Sequence, residues 1–329
     1  MPAIQTVTGT TTPERLGRTL MHEHLVIGYP GFEQDWVRPG PKRDEMFARC
    51  IDRIEELKGH GVDALLDPCP ADLGRDVELM AKVAQRTRFT IICATGLYKE
   101  EEGSNAYWKF RANFGDISAA LGELFARELT DGIAGTGIRA GIIKVGTGHQ
   151  TLTKYEQAVF AGAARAAVET GAPITTHTDG GKYGDDQQAF LVERGVPAHR
   201  IVIGHSCGTA DHTYHLRIAE RGSYLGFDRF GLDMLQPDTE RVAALLRLVR
   251  AGRGRQIVVS HDTVWCWRGE PIPSAEILSQ MEKVWTPTHF LKRIVPKLRD
   301  GGASEADVEA LLVDNPRRFF AGEPIARAT

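Results

Sequence analysis

Short apolar runs rich in β-branched residues alternate with longer stretches of helical period from one end of the chain to the other. The strand candidates are RTLMHEH (18–24), VDALLDP (62–68), FTIICATG (89–96), RAGIIKVG (139–146), APITTHT (172–178), IVIGHS (201–206), SYLGFD (223–228) and QIVVSHD (256–262). Between them lie segments such as DEMFARCIDRIEELKGHG, GRDVELMAKVAQRT, DISAALGELFARELTDG, YEQAVFAGAARAAVETG and DTERVAALLRLVRAG, several closing on the glycine that ends helices. Strand then helix, repeated eight times, predicts an α/β fold: a (β/α)8 TIM barrel as a single domain over 1–329, with a short N-terminal extension of about 1–15. The competing architecture is an open doubly wound sheet. No GxGxxG follows the first strand, and no single switch-point loop collects the polar residues.

The polar residues instead terminate nearly every strand. In a parallel barrel those ends converge on one face, where active sites of this fold lie. Longer connections follow the first strand (25–42), the third (97–115) and the eighth (263–288), and are candidate substrate walls or lids.

Composition narrows the function classes. With 42% hydrophobic and 25% charged residues the chain reads as a globular protein, and no apolar run is long enough for a membrane span. The first residues carry neither a basic nor an apolar signal region, so a cytoplasmic location is expected. A net charge of −3 without a basic cluster argues against nucleic acid as a partner. Five cysteines, odd in number and without CxxC, argue against a disulfide framework and a thiolate zinc site, and are expected to be buried and inert.

Chemistry enters at the strand ends. His22 and His24, two apart in LMHEH, are placed by strand periodicity on one face, with Glu23 on the other. HxH alone is a weak signal. Ionisable residues recur at the same position in other strands, however: Lys144 in GIIKVG, His177 in TTHT, His205 in IGHS and Asp262 in SHD. Four histidines and a carboxylate meeting in a barrel mouth predict a metal centre. Lys144 carries no lone pair as an ammonium and cannot ligate in that form. Buried beside metals, its amine would be neutral and could react with carbon dioxide to a carbamate with two oxygens for two ions. The alternative is an ion pair between Lys144 and Asp262 in a metal-free barrel.

The motifs MHEH, IIKVG, THT, IGHS, FDRFG, VSHD and DNPRRFF, in this order over about residues 5–320, resemble the phosphotriesterase family of the amidohydrolase superfamily. Tyr98 in ATGLY, Arg229 in GFDRFG and the short loop after the seventh strand look more like its phosphotriesterase-like lactonases than its dedicated organophosphate hydrolases. The resemblance implies a binuclear hydrolase. His22, His24 and Asp262 would bind the more buried ion, His177 and His205 the more exposed one, with N6-carboxylated Lys144 and a hydroxide bridging. Zinc is the first expectation, with cobalt, manganese or iron as alternatives. Asp262, Tyr98 and Arg229 are the candidate catalytic residues, Asp262 as proton acceptor. The implied substrates are lactones such as N-acyl-homoserine lactones, with phosphotriesters as a side reaction, and a homodimer is compatible with the likeness.

Other readings are bounded by particular residues. Ser206 in HSCG lacks the GxSxG elbow of a serine hydrolase. His261 should point away from Asp262 and support rather than ligate. A mononuclear decarboxylase on the same barrel would leave Lys144 unexplained, and a barrel that only binds its ligand would leave the complete ligand set unused. Trp36, Trp265, Trp267 and Trp285, in the loops after strands one and eight, line an apolar groove or staple those loops. The run Glu100–Glu102 reads as solvated surface, although its charge is unexpected near an acyl-chain site, and GTGHQ (146–150) matches no family pattern.

Overall fold

A computed structural model describes residues 3–103, 105–148 and 151–325. Eight strands form one sheet, every neighbouring pair parallel: β1 (Thr19–Leu20), β2 (Ala64–Asp67), β3 (Thr90–Gly96), β4 (Ile142–Gly146), β5 (Ile174–His177), β6 (Ile201–Ile203), β7 (Tyr224–Phe227) and β8 (Ile257–Val259). Their spatial order follows the chain from β1 to β8. The sheet closes where the Met21 N–H donates to the Val259 carbonyl at 3.2 Å and the Asp262 N–H to the His22 carbonyl at 2.9 Å. Beyond that seam His24–Ile27 pairs in parallel with Val264–Trp267. The expected α/β barrel is therefore the observed one. Among the described residues no helix is long and apolar enough to cross a membrane.

Alternation sorts the strand residues into two apolar layers. Leu65, Ile91, Ile143, Val145, Ile203, Leu225 and Val259 pack outward against the helices. Ala64, Leu66, Ile92, Ile142, Val202, Tyr224 and Val258 pack together inside the barrel, with Phe319 and Phe320 in the same cluster. The inner layer plugs one end, and the inward residues beyond it on each strand face the other end. Lys144 thus continues the inward series from Ile142, and Asp228 the series Tyr224, Gly226.

The first strand departs from its expected span. Rather than one strand over 18–24, the chain pairs at Thr19–Leu20, breaks at Met21–Glu23 and pairs again from His24. Leu20 lies in the outer layer and Met21 in the inner, so unbroken alternation would send His22 outward with Leu20. The break turns it into the barrel mouth.

The covering helices form as their sequences demand. The helix Lys154–Thr170 starts at a Thr153 cap whose hydroxyl accepts from the Glu156 N–H, with Glu156 reaching back to the cap, and stops at Gly171 with φ 75°. Two of the long loops also contain helix: Asn105–Ala112 in the third and Ala275–Val284 in the eighth. The latter is started by Ser274, whose side chain accepts from the Ile277 N–H. All five cysteines are buried and free. His149 and Gln150 of the GTGHQ stretch lie outside the described residues.

Candidate metal centre

The predicted residues converge at the open end of the barrel. Asp262 Oδ1 lies 3.1 Å from His24 Nε2 and 3.3 Å from His22 Nε2, and Asp262 Oδ2 lies 3.7 Å from His205 Nε2. The His22 and His205 ring centroids are 4.7 Å apart and those of His205 and His177 4.6 Å. Lys144, buried at 2% exposure, holds its Nζ 3.2 Å from His22 Nε2 and 3.4 Å from the Thr176 carbonyl. Close chain approach makes room for it: a Cβ on Gly96, the residue opposite Lys144 with φ 119°, would sit 1.8 Å from the Lys144 carbonyl oxygen. His205 and Asp262 hold left-handed backbone, with φ 57° and 56°. Such non-glycine outliers gather at functional sites.

Carboxylates set the imidazoles from behind. Asp228 accepts from His22 Nδ1 at 3.1 Å and from His205 Nδ1 at 2.9 Å, and also from the His205 backbone N–H at 2.9 Å. Asp67 stands 3.4 Å from His24 Nδ1, too loosely oriented to hydrogen-bond that nitrogen, and accepts instead from the N–H groups of Leu25 and Cys69. Neither carboxylate is among the residues expected from the sequence. The signal for Asp228 is the two-residue alternation that places it inward with Tyr224 and Gly226.

This arrangement fits a cation. With Nδ1–H donated to Asp228, His22 and His205 present lone pairs at Nε2, and both lone pairs face the Asp262 carboxylate. At His24 the hydrogen bond to Asp262 outweighs burial and raises the pKa well above 6.5, but protonation does not relieve the conflict at the other two rings. Burial, reinforced by the Lys144 charge, lowers the His22 pKa, and burial with the Arg229 charge lowers His205 to about 3. Two nitrogen lone pairs and a carboxylate around one space match the borderline ligand sets of divalent first-row metals. Lys144 finds no carboxylate at ion-pair distance among the described residues, so the alternative pairing with Asp262 is not made. Burial lowers its amine to about 8.

His177 joins the cluster differently. Its Nε2 lies 2.6 Å from Asp179 Oδ1, which leaves Nδ1 as the lone pair, with the Tyr98 hydroxyl 3.3 Å away. Asp179 is also bonded by the Lys99 ammonium at 2.9 Å, and that ammonium meets Glu102 at 2.8 Å. The acidic run is therefore only partly solvated surface: Glu102 is tied inward, and Glu100 pairs with Lys109 at 2.5 Å. Arg229, half-buried and charged, donates from Nε to Asp262 Oδ2 at 2.9 Å. His261 points away from Asp262 as expected, onto Glu23.

A pocket of about 610 Å3 opens over these groups, walled by Ile27, Tyr29, Pro70, Leu73, Leu232, Val264, Trp267 and Trp285. An apolar wall with a few convergent polar groups is the usual form of a small-molecule site. The tryptophans divide between the two expected roles. Trp267 and Trp285 line the pocket; Trp265 is buried and donates to the Thr263 hydroxyl at 2.9 Å; Trp36, 83% exposed, does neither.

His215 supports the turn that presents His205, donating from Nε2 to the Ser206 carbonyl at 2.8 Å. Burial lowers its pKa from 6.5 to about 4. The unfolded chain therefore takes up this proton first. Stability from the neutral ring is complete above pH 6.5 and is lost as pH falls toward 4, by at most about 3 kcal/mol. Thermal unfolding of metal-free protein between pH 7 and 4 should show a shallower decline in His215→Gln, which keeps a donor but no titration. Equal pH dependence of variant and wild type would contradict this.

Comparison with known proteins gives a consistent result. The model of the phosphotriesterase family matches residues 2–320. A phosphotriesterase homology protein of Mycobacterium tuberculosis is 36% identical over 323 residues, covering 97% of this chain and 98% of that one. An organophosphorus hydrolase from Deinococcus radiodurans superposes with a TM-score of 0.93 at 40% identity, over 97% of this chain and 96% of the other. A mutant of a phosphotriesterase-like lactonase from the same organism gives 0.92 at 39% identity, over 96% and 99%.

Proposed function

The chain belongs to the phosphotriesterase family of metal-dependent hydrolases, and we propose that within it the chain is a lactonase, opening γ- or δ-lactones such as N-acyl-homoserine lactones. The observation that carries this reading is the set of imidazole lone pairs aimed at Asp262 on the floor of a pocket whose upper wall is apolar. His22, His24 and Asp262 would hold one divalent cation and His177 and His205 a second, zinc in the first instance, with Lys144, as its carbamate, a further ligand. When bound, such ions would supply a water of lowered pKa and a Lewis acid for the substrate oxygen.

The chain's own groups do the rest. Asp262, the carboxylate that faces the imidazoles, would accept the proton, and Arg229 on Oδ2 fixes its plane. Tyr98, whose pKa burial raises well above 10, stays a neutral phenol and offers its O–H at the edge of His177, where a ring or leaving-group oxygen can be met. The Trp267 and Trp285 faces receive the apolar part of the substrate and exclude water from it. The lactonase named among the structural neighbours supports this choice of ester.

A panel of γ- and δ-lactones and a dialkyl aryl phosphotriester, assayed on metal-reconstituted protein, tests it. Lactone ring opening should exceed phosphotriester hydrolysis in kcat/KM. Absent lactone turnover with metal bound, or phosphotriester hydrolysis far ahead, would overturn the assignment.

A further inference from the structure

Glu23 sits between His22 and His24 and is fully buried, yet the proposed reaction has no use for it. Its two oxygens grip the chain on either side of Asp262. Oε1 accepts from the Ser260 hydroxyl at 2.7 Å, the His261 N–H at 3.0 Å and His261 Nδ1 at 2.6 Å. Oε2 accepts from the Thr263 N–H at 3.3 Å and from the Thr263 hydroxyl. The Phe290 N–H, a donor only, points at His261 Nε2 at 2.8 Å, so the ring proton is on Nδ1 and is donated to Glu23.

Each of these partners is a neutral donor. A carboxylate costs several kcal/mol to bury, and complete hydrogen bonding offsets that cost only if the donors stay in place. The donors belong to residues 260, 261 and 263, and the residue they bracket is held at φ 56°. At this seam regular pairing between β1 and β8 gives way to isolated bonds. The same hub reaches the pocket wall, because the His261 carbonyl accepts from Trp285 Nε1 at 2.8 Å.

We infer that Glu23 is a positioning residue for one half of the metal centre: it fixes Asp262 in register with His22 and His24 across the barrel seam, and so sets the affinity of the ion those three would share. The inference rests on the ligand assignment proposed above. A general structural role would weaken both ions alike; this role weakens one.

Glu23→Gln is the direct test, since both carboxylate positions face donors and neither can accept an amide NH2 without losing bonds. Stepwise removal of metal by a chelator, followed by elemental analysis, reads the two ions in turn. Wild type should yield two equivalents. In Glu23→Gln one ion should dissociate roughly 10- to 100-fold more readily, and the remaining one should disappear when His177→Ala is added. Should Glu23→Gln not fold, Thr263→Val, which removes one donor, should show the same selective loss in weaker form and Thr263→Ser should restore it. Wild type unable to take up two equivalents would overturn the centre itself and this inference with it. Two equivalents in wild type, with both ions unchanged or equally weakened in the variants, would overturn the inference alone.

Discussion

Asp262→Asn is expected to lower kcat by about 1000-fold or more while a lactone analogue still binds, the range in which loss of a positioned base falls. Asp262 is the one group that faces three imidazoles and a guanidinium together among the described residues. The substitution keeps the shape and removes the charge. An asparagine NH2 turned toward Arg229 sets donor against donor, and turned toward the histidines it leaves a neutral group where a cation needs an anion. The half-buried Arg229 charge is then left without its carboxylate partner. Steady-state kinetics and calorimetric binding of the analogue separate the two effects. An unchanged rate would remove Asp262 from the reaction.

Lys144→Ala carries the second large effect: loss of at least one of two metal equivalents, with a fall in kcat of about 100-fold or more. The side chain is buried, its amine is lowered to about 8, and its neighbours are a histidine nitrogen and a carbonyl rather than a carboxylate. A buried ammonium so placed is poorly compensated. As the neutral amine it can add to carbon dioxide with loss of a proton, and the carbamate supplies the anion the site lacks. Reconstitution of wild type should therefore depend on bicarbonate and that of Lys144→Ala should not. Two tightly held equivalents in Lys144→Ala would exclude the bridge.

The legibility of each feature in the sequence depends on how local its signal is. The barrel is readable because each apolar run and each helical stretch is complete within about 5–20 residues. The ligand set is readable because His177, His205 and Asp262 each end such a run. The break at Met21–Glu23 is not, since it arises where β1 must meet β8, more than 230 residues away in sequence. Alternation within RTLMHEH puts the two histidines on one face, but carried unbroken from Leu20 it would turn that face outward, and the break is what delivers His22 to the barrel mouth. Asp228 and Asp67 are hidden for a related reason: a strand-end aspartate becomes a partner of His22 or His24 only when strands far apart in the chain are brought together. Glu100–Glu102 looks like solvated charge because the lysine partners, Lys99 and Lys109, gain meaning only once the loop folds back on itself.

These side chains are proposed to form one centre for two cations. Elemental analysis of protein reconstituted with zinc, set beside the same measurement on His22→Ala and His177→Ala, tests it most directly. Two equivalents in the wild type and one in each variant are the expected result. One equivalent or none in the wild type, or two in either variant, would contradict it.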